Sequence, residues 1–286
     1  MRKIPVRKIP GADHQLTSSE RFKIRTIQEI LGGNNLKQDL HRHDFFFVLL
    51  LEKGGGNHEI DFVTYGIKDQ SVFLLRPGQV HQLELNKDCT GYLMEFNYEF
   101  YHPKNKTSAQ RFRRASSTNF CKLELQRFVA LQNTFTHIYK EYNNKEEGYL
   151  EIIKASLEIF YIELLRQSSN STNESRSINS YTQERLEEFL ELLEKHANRF
   201  KQVSQYTALM SLSAYQLNEI TKATLGKTPS DLINEQIILE AKRYLLATPN
   251  QVKDIADLLG YEDVSYFIRF FKKHTRYSPD AFRQAF

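Results

Sequence analysis

Cysteine is nearly missing from this chain of 286 residues: Cys89 and Cys121 are the two, and they lie far apart. Without a C-x-x-C pair, neither a disulfide scaffold nor a cysteine-based zinc module is expected, and a reducing cytoplasm is the expected compartment. Long hydrophobic runs are missing too. The longest, Phe45–Leu51, has seven residues, far below the roughly 20 that a bilayer-spanning helix needs. No membrane partner is therefore expected. The start of the chain, Met1 to Lys8, is basic but has no apolar core, so no secretory signal is expected. An excess of one charge is also lacking. With 39 Lys and Arg against 35 Asp and Glu, the net charge is +4, too mild to name a partner by itself. What is present is a folding composition, 40% hydrophobic and 26% charged. At ~100–200 residues per domain the length favours two domains.

From Gln38 to Glu99 the pattern is that of short strands, at Phe45–Leu51, Glu59–Val63, Ser71–Leu75, Val80–Leu85 and Gly91–Phe96. Turn residues separate them at Gly54-Gly55-Gly56, Gly66-Ile67-Lys68-Asp69 and Pro77-Gly78, which suggests a small antiparallel barrel or sandwich. The unbroken apolar run Phe45–Leu51 implies burial on both faces, or packing beneath a later helix. After Phe120 the period changes to steps of three and four (Leu125, Phe128, Leu131, Phe135, Ile138, Tyr142), and Ile153, Leu157, Phe160 and Leu164 carry a second stripe. A helical hairpin follows, and its apolar surface is expected to exceed what a small barrel can cover, which makes it the expected homodimer interface. The basic stretch Arg111 to Arg127 reads as a solvated loop.

Ser168 to Ser177 contains no apolar residue and is read as a flexible linker. Domain limits of 1–166, 167–180 and 181–286 follow. The fold class is α+β with two domains: a sheet-rich N-terminal half with a helical hairpin, and an all-α C-terminal half of about seven helices. In that half Val252–Tyr261 reads as a helix ending at a glycine turn, and Asp263 caps a second helix through Lys273. Phe267, Phe270 and Phe271 should face inward. Gln202–Met210, the turn Ser211-Leu212-Ser213 and Ala214–Leu225 closed by Gly226 repeat the plan. A long helix, Asp231–Ala247 with Ser230 as its cap, joins the two. Each unit is a helix-turn-helix, whose second helix enters a major groove; on one side of the molecule the two must stand roughly 34 Å apart.

Ile255-Ala256, Gly260-Tyr261, Ser265-Tyr266-Phe267, Arg269, Phe271-Lys272-Lys273, Ser278-Pro279 and Phe282-Arg283 resemble the AraC/XylS family of bacterial transcription regulators. Leu217, Gly226, Pro229 and Ala241 extend the resemblance into the first unit. It implies a seven-helix DNA-binding domain that reads an operator in double-stranded DNA. The implied DNA-contacting residues are Tyr215, Gln216, Asn218, Glu219 and Lys222 in the first unit, and Val264, Ser265, Ile268, Arg269 and Lys273 in the second. Arg269 suits guanine, Asn218 or Gln216 adenine, Glu219 cytosine and Val264 a thymine methyl. Three positions depart from the family: Thr221 for a large aromatic, Ile237 for a common arginine, and Arg276 for a glycine. With 14 Lys and Arg against 14 Asp and Glu from Tyr181 to Phe286, one such domain should bind DNA weakly and depend on dimerisation.

His41-Arg42-His43 and His81 resemble the histidines of the cupin barrel, whose usual metal set adds a glutamate three or four residues after the second histidine. Phe47 and Val48 stand there instead, and nothing in the spacing requires His58 to complete the set. No metal and no cofactor are therefore expected. In this regulator family such a barrel usually binds a small-molecule effector or dimerises, with His41, His43, Phe45, Phe47, His81 and Tyr92 as the expected lining. The reading is a cytoplasmic, non-enzymatic transcription regulator, with RNA polymerase as a further partner if it activates. The competing readings are a cupin-type metal enzyme, which needs the missing ligand, and a ligand-independent DNA-binding regulator.

Overall fold

A computed structural model describes residues 5–7, 21–103, 105–170 and 180–285. These form two compact units, one holding everything described up to Asn170 and the other everything from Ser180 on. The first contains β1 (Val6–Arg7), β2 (Phe22–Thr26), α1 (Ile27–Leu31), β3 (Leu36–His43), β4 (Phe46–Lys53), β5 (Gly56–Ile60), β6 (Val63–Gly66), β7 (Ser71–Leu75), β8 (Val80–Leu85) and β9 (Thr90–Phe96). After these come α2 (Lys106–Ser116), β10 (Phe120–Lys122), α3 (Leu125–Asn144) and α4 (Tyr149–Asn170).

The strands build two five-stranded sheets, ordered β1-β3-β8-β5-β6 and β10-β7-β4-β9-β2. All pairs are antiparallel except β1 with β3. Strand β4 is buried on both faces, because successive side chains alternate between two separate cores. Phe47, Leu49 and Leu51 meet Leu83, Leu85 and Phe73 between the sheets. Phe46, Val48 and Leu50 meet Leu131, Phe135, Leu157 and Phe160 of the helical hairpin on the other side. The unit thus has three layers: sheet, sheet and helices.

Four expectations change here. Glu59–Val63 is not one strand: Asp61 and Phe62 have φ of +46° and +70° and form a two-residue hairpin turn between β5 and β6. Asp61 holds that turn, its carboxylate accepting from the Gln79 amide at 2.7 Å and the Val80 backbone N–H at 3.2 Å. Within the basic stretch, residues 111–116 are helix, as the end of α2, and residues 125–127 open α3, rather than loop. Arg111 donates to Glu158 at 3.1 Å, and Ser108 and Tyr101 donate to the same carboxylate at 2.6 Å each. The hairpin stripe expected to exceed the sheet's cover is buried against it, leaving Leu125, Val129, Ile152 and Ile159 as its exposed large apolar residues. Finally, the linker expected at 167–180 is helical through Asn170, and helix resumes at Ser180; residues 171–179 lie outside the described residues.

The second unit has seven helices among the described residues: α5 (Ser180–His196), α6 (Val203–Met210), α7 (Ala214–Leu225), α8 (Pro229–Ala247), α9 (Val252–Leu258), α10 (Val264–Thr275) and α11 (Pro279–Ala285). Helix α8 packs against α5, α6, α7, α9, α10 and α11 and is the strut of the bundle. Its cap is Thr228, not Ser230: Asp231 N–H donates to Thr228 Oγ1 at 3.2 Å, and Pro229 takes the first helical position, where its missing N–H costs nothing. Leu209 is exposed, because α6 turns Tyr206, Thr207 and Met210 into the core. Phe270 is half-buried against Tyr261 and His274, while Phe267 and Phe271 are fully inside. The three departures also find their places. Thr221 is buried with its hydroxyl donating to Asn218 O at 3.3 Å, Ile237 fills the core, and Arg276 closes α10 with a φ of +66°.

Candidate functional site

Two helix pairs in the second unit are set by their turns. Between α6 and α7, Ser211 takes a φ of +52°, and Ser213 starts α7 by accepting from the Gln216 backbone N–H at 3.1 Å. Gln216 returns the bond, its side-chain oxygen accepting from Ser213 N–H at 2.8 Å. Between α9 and α10, Gly260 has a φ of +74°, and Asp263 Oδ1 accepts from Ser265 N–H at 2.7 Å. A methyl group on Gly260 would lie 2.2 Å from the Asn198 carbonyl, so both the conformation and the close approach demand glycine.

These turns leave α7 and α10 with one face in the bundle and one in solvent. Leu217 and Ile220 of α7 are buried, while Tyr215, Gln216, Glu219 and Lys222 are exposed and Asn218 is half-exposed. In α10, Phe267 and Phe271 are buried; Ser265, Arg269 and Lys273 are exposed, and Val264 and Ile268 are half-exposed. None of the ten expected DNA contacts is buried, and Tyr215, at 73% exposure, stands clear of the surface. Gln216 differs from the others because its oxygen already caps α7. One lone pair of that oxygen remains, but the bond to Ser213 N–H ties the side chain back to the start of α7, which favours Asn218 for two-bond recognition of adenine. Arg269 Nη2 stands 3.8 Å from the exposed Asp263 carboxylate, a weak surface contact.

The first unit holds a cavity of about 270 Å³ between its two sheets. Phe45, Phe47, Leu49, Leu83, Leu85 and Leu93 supply its apolar wall, and Arg7, Lys23, Arg25, Gln38, His43 and Glu95 its polar groups. Arg25 Nη2 lies 3.2 Å from Glu95 Oε2, yet burial outweighs this contact and pushes the Glu95 carboxyl up. Of the residues expected to line a ligand site, His43, Phe45 and Phe47 line this cavity. Tyr92 does not: it points to the helical side of the sheet, where its hydroxyl pairs with Thr136 at 3.1 Å and its ring packs on Phe135 and Tyr139. His41 and His81 lie outside the lining, in a histidine cluster beside it. The charged lining from β1, β2 and β9 was absent from the expectation. Strand β2 was the missing element, although Phe22-Lys23-Ile24-Arg25 alternates with period two as a half-buried strand should.

His41, His43, His58 and His81 are all buried, and the sheet brings them together. His41 and His81 face each other across β3 and β8. His81 Nε2 lies 2.7 Å from His43 Nε2, and His81 Nδ1 lies 2.9 Å from His58 Nε2. Desolvation lowers the pKa of His41 to about 4 and those of His43 and His58 to about 3; His81 is also pushed well down. The imidazoles are therefore neutral near pH 7.

With these surfaces described, two family models align with the two units. A helix-turn-helix domain matches residues 206–285, and an AraC-like ligand-binding domain matches residues 32–146. The transcriptional activator RhaS of Klebsiella pneumoniae is 25% identical over 266 residues, covering 85% of this chain and 87% of its own. The transcriptional regulator YfiF of Bacillus subtilis is 21% identical over 260 residues, covering 88% of this chain and 81% of its own. Among solved structures, ToxT of Vibrio cholerae aligns at 14% identity with a TM-score of 0.43, covering 92% of this chain and 98% of that one.

Proposed function

Since this chain belongs to the AraC-type transcription regulators, with an N-terminal ligand-binding domain and a C-terminal DNA-binding domain, we propose that it reads its operator through α7 and α10. Tyr215, Asn218, Glu219 and Lys222 would act from the first helix, and Val264, Ser265, Ile268, Arg269 and Lys273 from the second; Gln216, held by its bond to Ser213, would contribute less. The observation that carries this reading is that every one of these side chains reaches solvent while the opposite faces of the same helices are core. Arg269 can give two hydrogen bonds to one guanine, and Lys222 and Lys273 can meet phosphates. Selection of bound duplexes from a random pool tests it. Two conserved half-sites support the reading, and a pool that stays random overturns it.

The effector we propose is a small organic anion with an apolar body. Three cations against one carboxylate line a wall that is otherwise mostly hydrocarbon, and the volume is at the small end of ligand cavities. Thermal stabilisation by a panel of carboxylates, neutral sugars and amines separates the classes. A response to sugars or amines, with none to carboxylates, would reject this assignment. Leu125, Val129, Ile152 and Ile159 form the proposed homodimer contact, and the chain is taken to act without catalysis, in the cytoplasm. Contact with RNA polymerase depends on where the operator lies, which the chain does not encode.

A further inference from the structure

We propose that the buried histidine cluster beside the cavity binds one first-row transition-metal ion of the imidazole-preferring class, with Zn²⁺ as the working example. His41, His43 and His81 are its ligands and His58 stands behind them. One ring nitrogen from each of the three lies within 4.8 Å of the others. Three observations point to an ion rather than to packing.

The first is the orientation of His41. Its Nδ1 is 2.7 Å from the Asp39 carbonyl oxygen, which can only accept, so Nδ1 carries the proton and Nε2 keeps a bare lone pair. That Nε2 is buried and has no hydrogen-bond partner, while the His41 ring sits 4.2 Å from the ring of His81 and 4.8 Å from that of His43. A ring nitrogen fixed by a carbonyl behind it is how metal-binding histidines are usually oriented. The second is that hydrogen bonding does not satisfy the cluster. The contacts His58–His81–His43 use one nitrogen of His58, both of His81 and one of His43, and leave His41 Nε2 and His43 Nδ1 buried and unpaired on two of the proposed ligands; His58 Nδ1 is unpaired with or without an ion. Unmet polar atoms of this kind are costly and uncommon in protein interiors. The third is the second shell. With an ion on Nε2 of His81, its Nδ1 carries the proton and donates to His58 Nε2 at the 2.9 Å already present. Ligation then needs a change of tautomer and no lost proton.

The donor set selects the metal. Neutral imidazoles without a carboxylate suit Zn²⁺, Ni²⁺ or Cu²⁺ and not Mg²⁺ or Ca²⁺. This inference reverses the expectation drawn from Phe47 and Val48. No glutamate is supplied from β4, and Phe47 stacks on His43 instead, with 13° between the ring planes. Three imidazoles leave a coordination position for water or another small ligand. His43 belongs to both the cluster and the cavity lining, so a bound ion would place another positive charge next to the effector site.

The test uses the full chain, stripped with a chelator, dialysed against Zn²⁺ alone and analysed by elemental mass spectrometry. One ion per chain is expected at micromolar protein. His41→Gln and His81→Gln should each weaken binding at least tenfold, while the exposed His137→Gln leaves it unchanged. Loading with Co²⁺ should give a visible absorption band that the same two substitutions remove. If those variants fail to fold, X-ray absorption on the Zn²⁺-loaded wild type decides, with a first shell containing three imidazole nitrogens supporting the site. Substoichiometric metal, equal affinity in folded His81→Gln, or a first shell of oxygen or sulfur overturns the proposal.

Discussion

Gly260 and Arg276 show how a single backbone conformation sets the cost of a side chain. Both take a positive φ, but only Gly260 also lies against the Asn198 carbonyl. Gly260→Ala therefore has to move backbone as well as adopt a strained φ, and thermal unfolding should show a loss well above ~1 kcal/mol. Arg276→Gly should go the other way, gaining up to about 1 kcal/mol, because glycine takes this conformation without penalty. A lowered melting temperature would show that the Arg276 side chain holds something the backbone strain conceals. Lys201 gives a pH signature in the same unit. Its ammonium donates to Ala197 O at 2.6 Å and lies over the Tyr261 ring, and burial lowers its pKa to about 8 from 10.5. Between pH 8 and 10.5 the unfolded chain binds more protons than the folded one, so this residue's contribution to stability rises with pH across that window. Below pH 8 both states are charged and the burial cost is constant. Melting temperatures of Lys201→Met and wild type should thus shift relative to one another from pH 8 upward, in favour of wild type; a difference that stays flat to pH 10 contradicts the assignment. At the proposed DNA surface, Arg269→Ala should cost about 1–3 kcal/mol on the preferred operator and relax selection at one base pair, as measured by titration of single-site operator variants.

Strand β4 is the element on which the first unit depends. Its alternate residues enter two cores, so Leu50→Ala opens a cavity against the hairpin, and Leu49→Ala opens one between the sheets. Each should cost roughly 2–5 kcal/mol in chemical denaturation. The double burial of Phe45–Leu51 was legible because an unbroken apolar run has no solvent face. The hairpin at Asp61–Phe62 was not: Phe62 is a poor turn residue, and the turn is held by Gln79 and Val80, which come from elsewhere in the chain. Helix α2 was obscured for a similar reason. Its arginines read as a solvated patch until Glu158 of α4 supplies a partner for Arg111. For Glu158, burial pushes the carboxyl up, but hydrogen bonds from Ser108, Tyr101 and Arg111 outweigh it and hold it low. Among the C-terminal helices the periodicity was strong and the caps local, and the structure departs from the expected starts of α6 and α8 by one and two residues.

Over the whole molecule, charge balance limits how the protein can hold DNA. The C-terminal half has equal numbers of acidic and basic residues, so few counterions are released when one copy binds. The logarithm of affinity against the logarithm of salt should be shallow for a single domain, and a slope implying ten or more ions would contradict this. In the homodimer proposed above, tight binding would come from two copies on one operator. Sedimentation of the full chain should show dimers at micromolar concentration, weakened by Ile159→Asp on the exposed side of α4; dimers unaffected by it would move the interface elsewhere.

What the sequence determined on its own was whatever depends on neighbours in the chain. The two-part organisation, the alternation of β4, the serine, aspartate and glycine turns of the two helix pairs and the outward faces of α7 and α10 all arise from residues within a few positions of each other. The tertiary structure decided what depends on distant residues meeting. It set Arg7, Lys23, Arg25 and Glu95 around a common cavity, turned Tyr92 away to the helices, and joined His58 to His41, His43 and His81. Strand register makes those meetings, and register depends on the sheets' shared cores, which no local pattern specifies.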